Sequence, residues 1–179
     1  RDEVLQIART AKASLPLYLL EDLTATANDT LNLSYKILKE RLISLASTNP
    51  QVSFAYLFTQ KEGRIYFYAD SEIESSQDYS PPGQEFSEAQ EEDRQPFIDG
   101  KERITDLLTD RWGTWITIYI PVVEKNGKVS SVFGMDFDAK SWSSSILHDV
   151  FKSVILVLLA LLVWYFQYRI VIKNRSLKK

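Results

Sequence analysis

The chain of 179 residues has no cysteine, a single histidine and a single methionine. Without cysteine there is no disulfide, no thiol nucleophile and no thiolate-bound metal. With His148 as the only imidazole, a metal site built from histidines is excluded, and a Ser-His-Asp triad would have to use a residue next to the apolar C-terminal run. No kinase motif follows His148, and no acidic run has the spacing of a calcium-binding EF-hand loop. A cofactor is not expected, nor is catalysis by this chain. A basic face is missing as well. The net charge is -3, and the stretch from Glu72 to Asp110 sets twelve acidic residues against Arg94, Lys101 and Arg103. Nucleic acid is therefore not an expected partner, because binding it requires cations to neutralise phosphates.

Long apolar runs are scarce, and the one that exists is short. Val154 to Phe166 reads VILVLLALLVWYF, thirteen residues without a polar side chain. Extended to Val150 and Ile172 it admits Lys152 and Arg169, whose stems can snorkel toward the two interfaces. At that length a helix covers roughly 34 Å against a hydrocarbon core of about 30 Å. Trp164, Tyr165 and Tyr168 would form its interfacial belt. The alternative is a helix buried in a soluble core. Arg169, Lys173, Arg175, Lys178 and Lys179 follow with no acid among them, so the positive-inside rule places the C-terminus in the cytoplasm and the rest outside the cell membrane. The charged start Arg1-Asp-Glu shows no signal peptide, and any first span is expected upstream.

The remaining apolar residues, part of a 45% total, suffice for one core. Val4, Leu5, Ile7, Ala8, Ala11 and Leu15 predict a helix over Asp2 to Leu20, ended or kinked by Pro16, whose stripe invites a dimer partner. Leu23 to Leu33 reads as a loop, and a second helix is expected from about Ser34 to Ser47. VSFAYLFT and RIYFYAD flank Gln60-Lys-Glu-Gly63 as a hairpin, in which Tyr66, Tyr68 and Asp70 share one face and Ile65, Phe67 and Ala69 the other. Ser71 to Phe86 is expected to be a polar loop, and Ser87 to Ile98 a short acidic helix starting at a Ser87/Gln90 cap.

Asp110-Arg-Trp-Gly-Thr-Trp115 then leads into a strand with Trp115, Thr117 and Tyr119 on one face and Ile116, Ile118, Ile120 and Val122 on the other. The first face combines apolar area with hydrogen-bonding handles, as a pocket wall does. Lys125-Asn-Gly-Lys128 turns the chain into a last strand, Val129 to Phe137, where Asp136 faces away from Phe133, Met135 and Phe137. The pattern predicts an α+β fold, with a long N-terminal helix packed on a central antiparallel sheet of four or five strands and a C-terminal transmembrane helix beyond it.

VSFAYLF, RIYFYADSE, Asp78-Tyr-Ser-Pro-Pro-Gly83, TDRWGTW, IPV and GMDFDAKSW, in this order after a helix, resemble the extracytoplasmic PAS-like sensor domains called Cache or PDC, found in membrane histidine kinases, diguanylate cyclases and related signalling proteins. The resemblance spans roughly residues 34 to 142. With one sensor domain over 34–142, the chain divides into a helix and loop over 1–33, that domain, a signalling and transmembrane helix over 143–172 and a cytoplasmic stub over 173–179. The resemblance also implies a small polar ligand, such as an amino acid, a carboxylate or an amine, and a homodimer. The candidate ligand-binding residues are Tyr56, Tyr66, Tyr68, Asp70, Arg111, Trp112, Trp115, Thr117, Tyr119 and Asp136. Arg111 would clamp a carboxylate and Asp136 an ammonium or hydroxyl. Their bland alternatives are an ion pair with a nearby acid and a cap after the last strand. A ligand-free structural or dimerisation domain is the competing function.

Overall fold

The computed structural model describes residues 2–138, 152–165 and 167–168. Helix α1 spans Asp2–Ser14, thirteen residues, and is shorter than the expected run to Leu20. Pro16 ends it, because its ring clashes with the preceding turn, and the chain goes on as a 3₁₀ turn at Leu17–Asp22. The stripe of α1 is not left bare: Val4, Ala8 and Ala11 are buried within the same chain, and Lys12 Nζ donates to the Pro121 carbonyl at 2.7 Å. That stripe consequently gives no reason for a dimer.

The expected loop after Leu23 contains a second 3₁₀ turn, Ala27–Leu31, whose buried Asp29 accepts from the amides of Thr24 and Thr26. Helix α2, Leu33–Thr48, starts where the Asn32 side chain accepts from the Ser34 amide at 2.9 Å. Its buried face carries Tyr35, Leu38, Leu42 and Leu45, with Lys39 among them.

Five strands follow: β1 Val52–Lys61, β2 Arg64–Asp70, β3 Arg103–Thr109, β4 Thr114–Val123 and β5 Val129–Asp138. They form one sheet in the order β2-β1-β5-β4-β3, and every pairing is antiparallel. The α+β class is as expected. Strand β3 is the element that the sequence hid; it is an edge strand with Leu107 exposed, so its apolar residues do not alternate cleanly. The acidic helix, α3, begins at Glu91 and not at Ser87, because Gln90 and Asp93 form the capping box.

One face of the sheet is aliphatic. Ala55, Leu57, Ile118, Phe133 and Met135 are fully buried there in register across β1, β5 and β4, and α2 lies on the β1 and β2 end while α1 contacts β4. The opposite face gathers Tyr56, Phe58, Phe67, Tyr119 and Val132 beneath Phe86 and Phe97 of the segment between β2 and β3. That segment is stitched to the outer edge of β2 by three backbone hydrogen bonds, Phe67 to Gln84, Gly83 to Phe67 and Phe86 to Ile65, at 2.9–3.0 Å. Gly83 sits at φ 84° with its α-carbon against the Thr26 backbone, where no side chain fits.

Residues 152–165 and 167–168 are helical, with Val154 to Tyr165 largely exposed. Among the described residues no helix is long and apolar enough to cross a membrane. The ends of the expected span (Val150, Phe151, Phe166 and 169–172), the helical continuation from Ala139, His148 and the basic stub lie outside the described residues.

Candidate functional site

The polar half of the sheet face is built by register. Tyr56 on β1 and Tyr119 on β4 both stand opposite Gly134 of β5, and Thr117 stands opposite Asp136. Gly134 carries no side chain, so the Tyr56 ring lies across the strand; an added Cβ would overlap that ring. Tyr56 then donates to Asp136 Oδ1 at 3.0 Å, and Thr117 donates to the same oxygen at 2.7 Å. Tyr119, whose hydroxyl lies beside that of Tyr56, donates to Asp93 of α3. A buried chain of groups therefore runs from Thr117 through Asp136, Tyr56 and Tyr119 to Asp93.

Burial dominates the electrostatics of this chain. It pushes the Asp136 carboxyl up to about 7, although the Thr117 and Tyr56 hydroxyls pull the other way. Asp93 is raised for the same reason, against bonds from Tyr119 and the Gln90 amide. Tyr56 and Tyr119 are held well above the usual phenol range, first by burial and then by the neighbouring acids.

Beside Asp136 lies a half-enclosed cavity of about 30 Å³. Its apolar wall is Phe54, Tyr56, Phe67, Phe86 and Trp112. Its polar wall is Ser80 and four carboxylates, Asp70 and Asp136 inside with Asp78 and Asp110 at the more exposed rim. A space of this size holds about one or two waters, so a larger guest needs the covering segment to give way. Asp110 accepts from the amides of Trp112 and Gly113 and from Trp115 Nε1 at 2.9–3.1 Å, which fixes the DRWGTW turn. At the inner wall Asp70 pairs with Lys39 Nζ and accepts from the Ser80 amide at 2.6 Å, and the ammonium lies 4.3 Å over the Tyr79 ring. Burial raises the Asp70 carboxyl, opposed by Lys39.

Matched against known proteins, the chain fits no family model and no curated sequence. The geometry alone therefore carries the site.

Of the candidate residues, Tyr56, Asp70, Trp112 and Asp136 line the cavity, and Thr117 and Tyr119 support it from behind. Trp115 is buried against Phe54, edge to face at 5.1 Å, and does not line it. Arg111 is exposed, with its guanidinium stacked 4.0 Å over the Trp112 ring and its amide donating to Glu88. It lies outside the cavity, so a carboxylate clamp has no support. Tyr66 and Tyr68 face the helical layer instead: Lys61 lies over Tyr66, and Tyr68 borders a groove beside Leu17 and Leu20. The reason is a bulge. Phe58 pairs with Phe67 but Leu57 with Ala69, so one residue of β2 is extra and the parity inverts between Phe67 and Asp70. Phe67 and Asp70 reach the same side, which strict alternation forbids. Asp78, Ser80 and Phe86 were hidden in a loop with no periodicity, whereas Lys39 left a signal, a charge on the apolar stripe of α2. Among the described residues no group of three or more acids or histidines is placed to hold a metal ion.

The close approach of Tyr56 to Gly134 makes Gly134→Ala a sharp test of this packing. Overpacking costs roughly 1–3 kcal/mol, and thermal denaturation should show that loss. A neutral result would mean that the Tyr56 ring lies elsewhere.

Proposed function

We propose that this chain is the extracytoplasmic ligand-sensing part of a transmembrane signal-transduction protein, of the histidine kinase or diguanylate cyclase type. The sensor is a Cache/PDC-like domain, it binds a small polar molecule, and the C-terminal helix transmits the bound state to the cytoplasm. The carrying observation is the cavity between the sheet and its covering segment, with buried Asp136 and Asp70 on its wall. The five-stranded antiparallel sheet, helices on one face and site on the other, is compatible with a PAS-like fold. Ligand binding would shift the balance between two arrangements of sheet and cover, as differential affinity requires.

The competing reading, a ligand-free structural or dimerisation domain, draws on the small volume of the cavity, about 30 Å³. A melting screen of the full chain in detergent against amines, carboxylates, amino acids and sugars separates the two. A ligand that binds only the folded state stabilises it by about 2.7 kcal/mol at a hundredfold excess over its dissociation constant. No shift from any class would favour the structural reading. For topology, the full chain should fractionate with membranes and need detergent, and a truncation near Ser145 should not. A monodisperse full chain without detergent would overturn the span.

A further inference from the structure

We infer that the cavity takes a small organic ammonium ion, and neither an anion nor a zwitterion; this rests on the sensing reading above. Among the described residues four carboxylates line the cavity and no lysine or arginine does, since Arg111 stacks outside on Trp112 and Lys39 reaches Asp70 from α2. An anion would meet acids there and, among the described residues, no unpaired cation, and the carboxylate of an amino acid would meet Asp78 or Asp110 without a guanidinium to receive it. The wall itself shows how a cation is held. Lys39 places an ammonium against the Asp70 carboxylate and over the face of Tyr79, and both ends of that pair are buried. Asp70 is thereby engaged, and Asp136 is the inner carboxylate left for a guest. Asp136 is 5% exposed, and both hydroxyls that reach it bond to Oδ1, so Oδ2 has no donor among the described residues. Phe54, Tyr56 and Trp112 supply aromatic surface beside it. A carboxylate that is costly to ionise when alone is stabilised by a cation brought next to it.

Binding is then coupled to a proton. The groups facing Asp136 are Tyr56 from β1, Thr117 and Tyr119 from β4, Asp93 from α3 and Asp110 from the turn before β4; none of them is cationic. With its carboxyl near 7, Asp136 is half protonated at neutral pH, so a bound ammonium expels the proton and binding weakens as pH falls.

The test is a set of melts and calorimetric titrations of the full chain in detergent, with methylammonium, ethylammonium, acetate and glycine at constant ionic strength. The alkylammonium ions should raise the melting temperature saturably, with affinity about a hundredfold weaker at pH 5 than at pH 8. Acetate and glycine should do nothing. Asp136→Asn should abolish the ammonium effect, while Glu124→Gln on the β4–β5 turn should leave it intact. If acetate or glycine binds in a manner sensitive to Asp136→Asn and the ammonium ions do not, the sensing reading stands and the ligand class falls. An ammonium shift that survives Asp136→Asn also overturns the assignment, and silence from all four overturns it at this cavity.

Discussion

Asp136→Asn is expected to melt at a higher temperature than the parent chain at pH 8 and at nearly the same temperature near pH 4. A carboxyl whose folded-state value lies at about 7, far above its unfolded value of about 3.9, binds its proton more tightly in the folded chain. Its contribution to stability is therefore full below pH about 4 and is lost as pH rises to about 7, after which the curve is flat. About three pH units at 1.36 kcal/mol each set an upper bound of about 4 kcal/mol. Asparagine keeps an acceptor for Tyr56 and Thr117 but carries no charge, so it should recover on the order of 3 kcal/mol at pH 8. If Asp136→Asn proves less stable at pH 8, the ionised form is wanted by the fold and Asp136 is a structural group. The ligand site would then be costing nothing, whereas on the present reading the chain gives up stability to keep a buried acid in its cavity.

Lys39→Met should have the opposite sign. Lys39 and Asp70 are both under 10% exposed, and removing one partner of a buried pair leaves an uncompensated charge, at about 3–5 kcal/mol. Methionine preserves most of the stem's packing on α2, so the loss is electrostatic. It should be largest at pH 8 and shrink toward pH 5, because Asp70, already raised by burial, escapes the penalty by taking up a proton. Denaturation curves at the two pH values give the difference. A loss independent of pH would trace to packing, and no loss would mean that the pair contributes nothing. The double change Lys39→Met with Asp70→Leu should regain much of the stability, since it removes both desolvated charges together.

The parts of this protein that were legible in its sequence are those ruled by period. Trp115, Thr117 and Tyr119 share a face, Asp136 stands apart from Phe133, Met135 and Phe137, and Val52 to Asp70 forms a hairpin. A period says nothing about a break in period. The bulge in β2 carried Tyr66 and Tyr68 to the helical side and Asp70 to the cavity, and a run as regular as RIYFYAD does not announce it. Side-chain partners were equally silent, even close in sequence. Arg111 looked like a ligand clamp because a guanidinium suits a carboxylate, yet Trp112, its neighbour in sequence, offers it a ring face instead. Asp110, placed only at the mouth of the strand, turns out to hold three donors of the DRWGTW turn. Gly134 was readable in principle: a glycine inside a strand marks a close approach, here by Tyr56 from the neighbouring strand.

The stitching of residues 83–86 to β2 decides where a guest can enter. Three backbone hydrogen bonds at about 1 kcal/mol each, with Gly83 wedged against Thr26, hold that end of the cover down, and peeling it away would strip the sheet of its protected edge. At the rim the ties are made through side chains, the Ser80 amide on Asp70 and the Arg111 amide on Glu88, and among the described residues no backbone pair joins the cover to the turn at Asp110. A guest that enters past Asp78 and Asp110, the more exposed acids of the wall, meets negative charge first, which favours cations over anions on approach to Asp136.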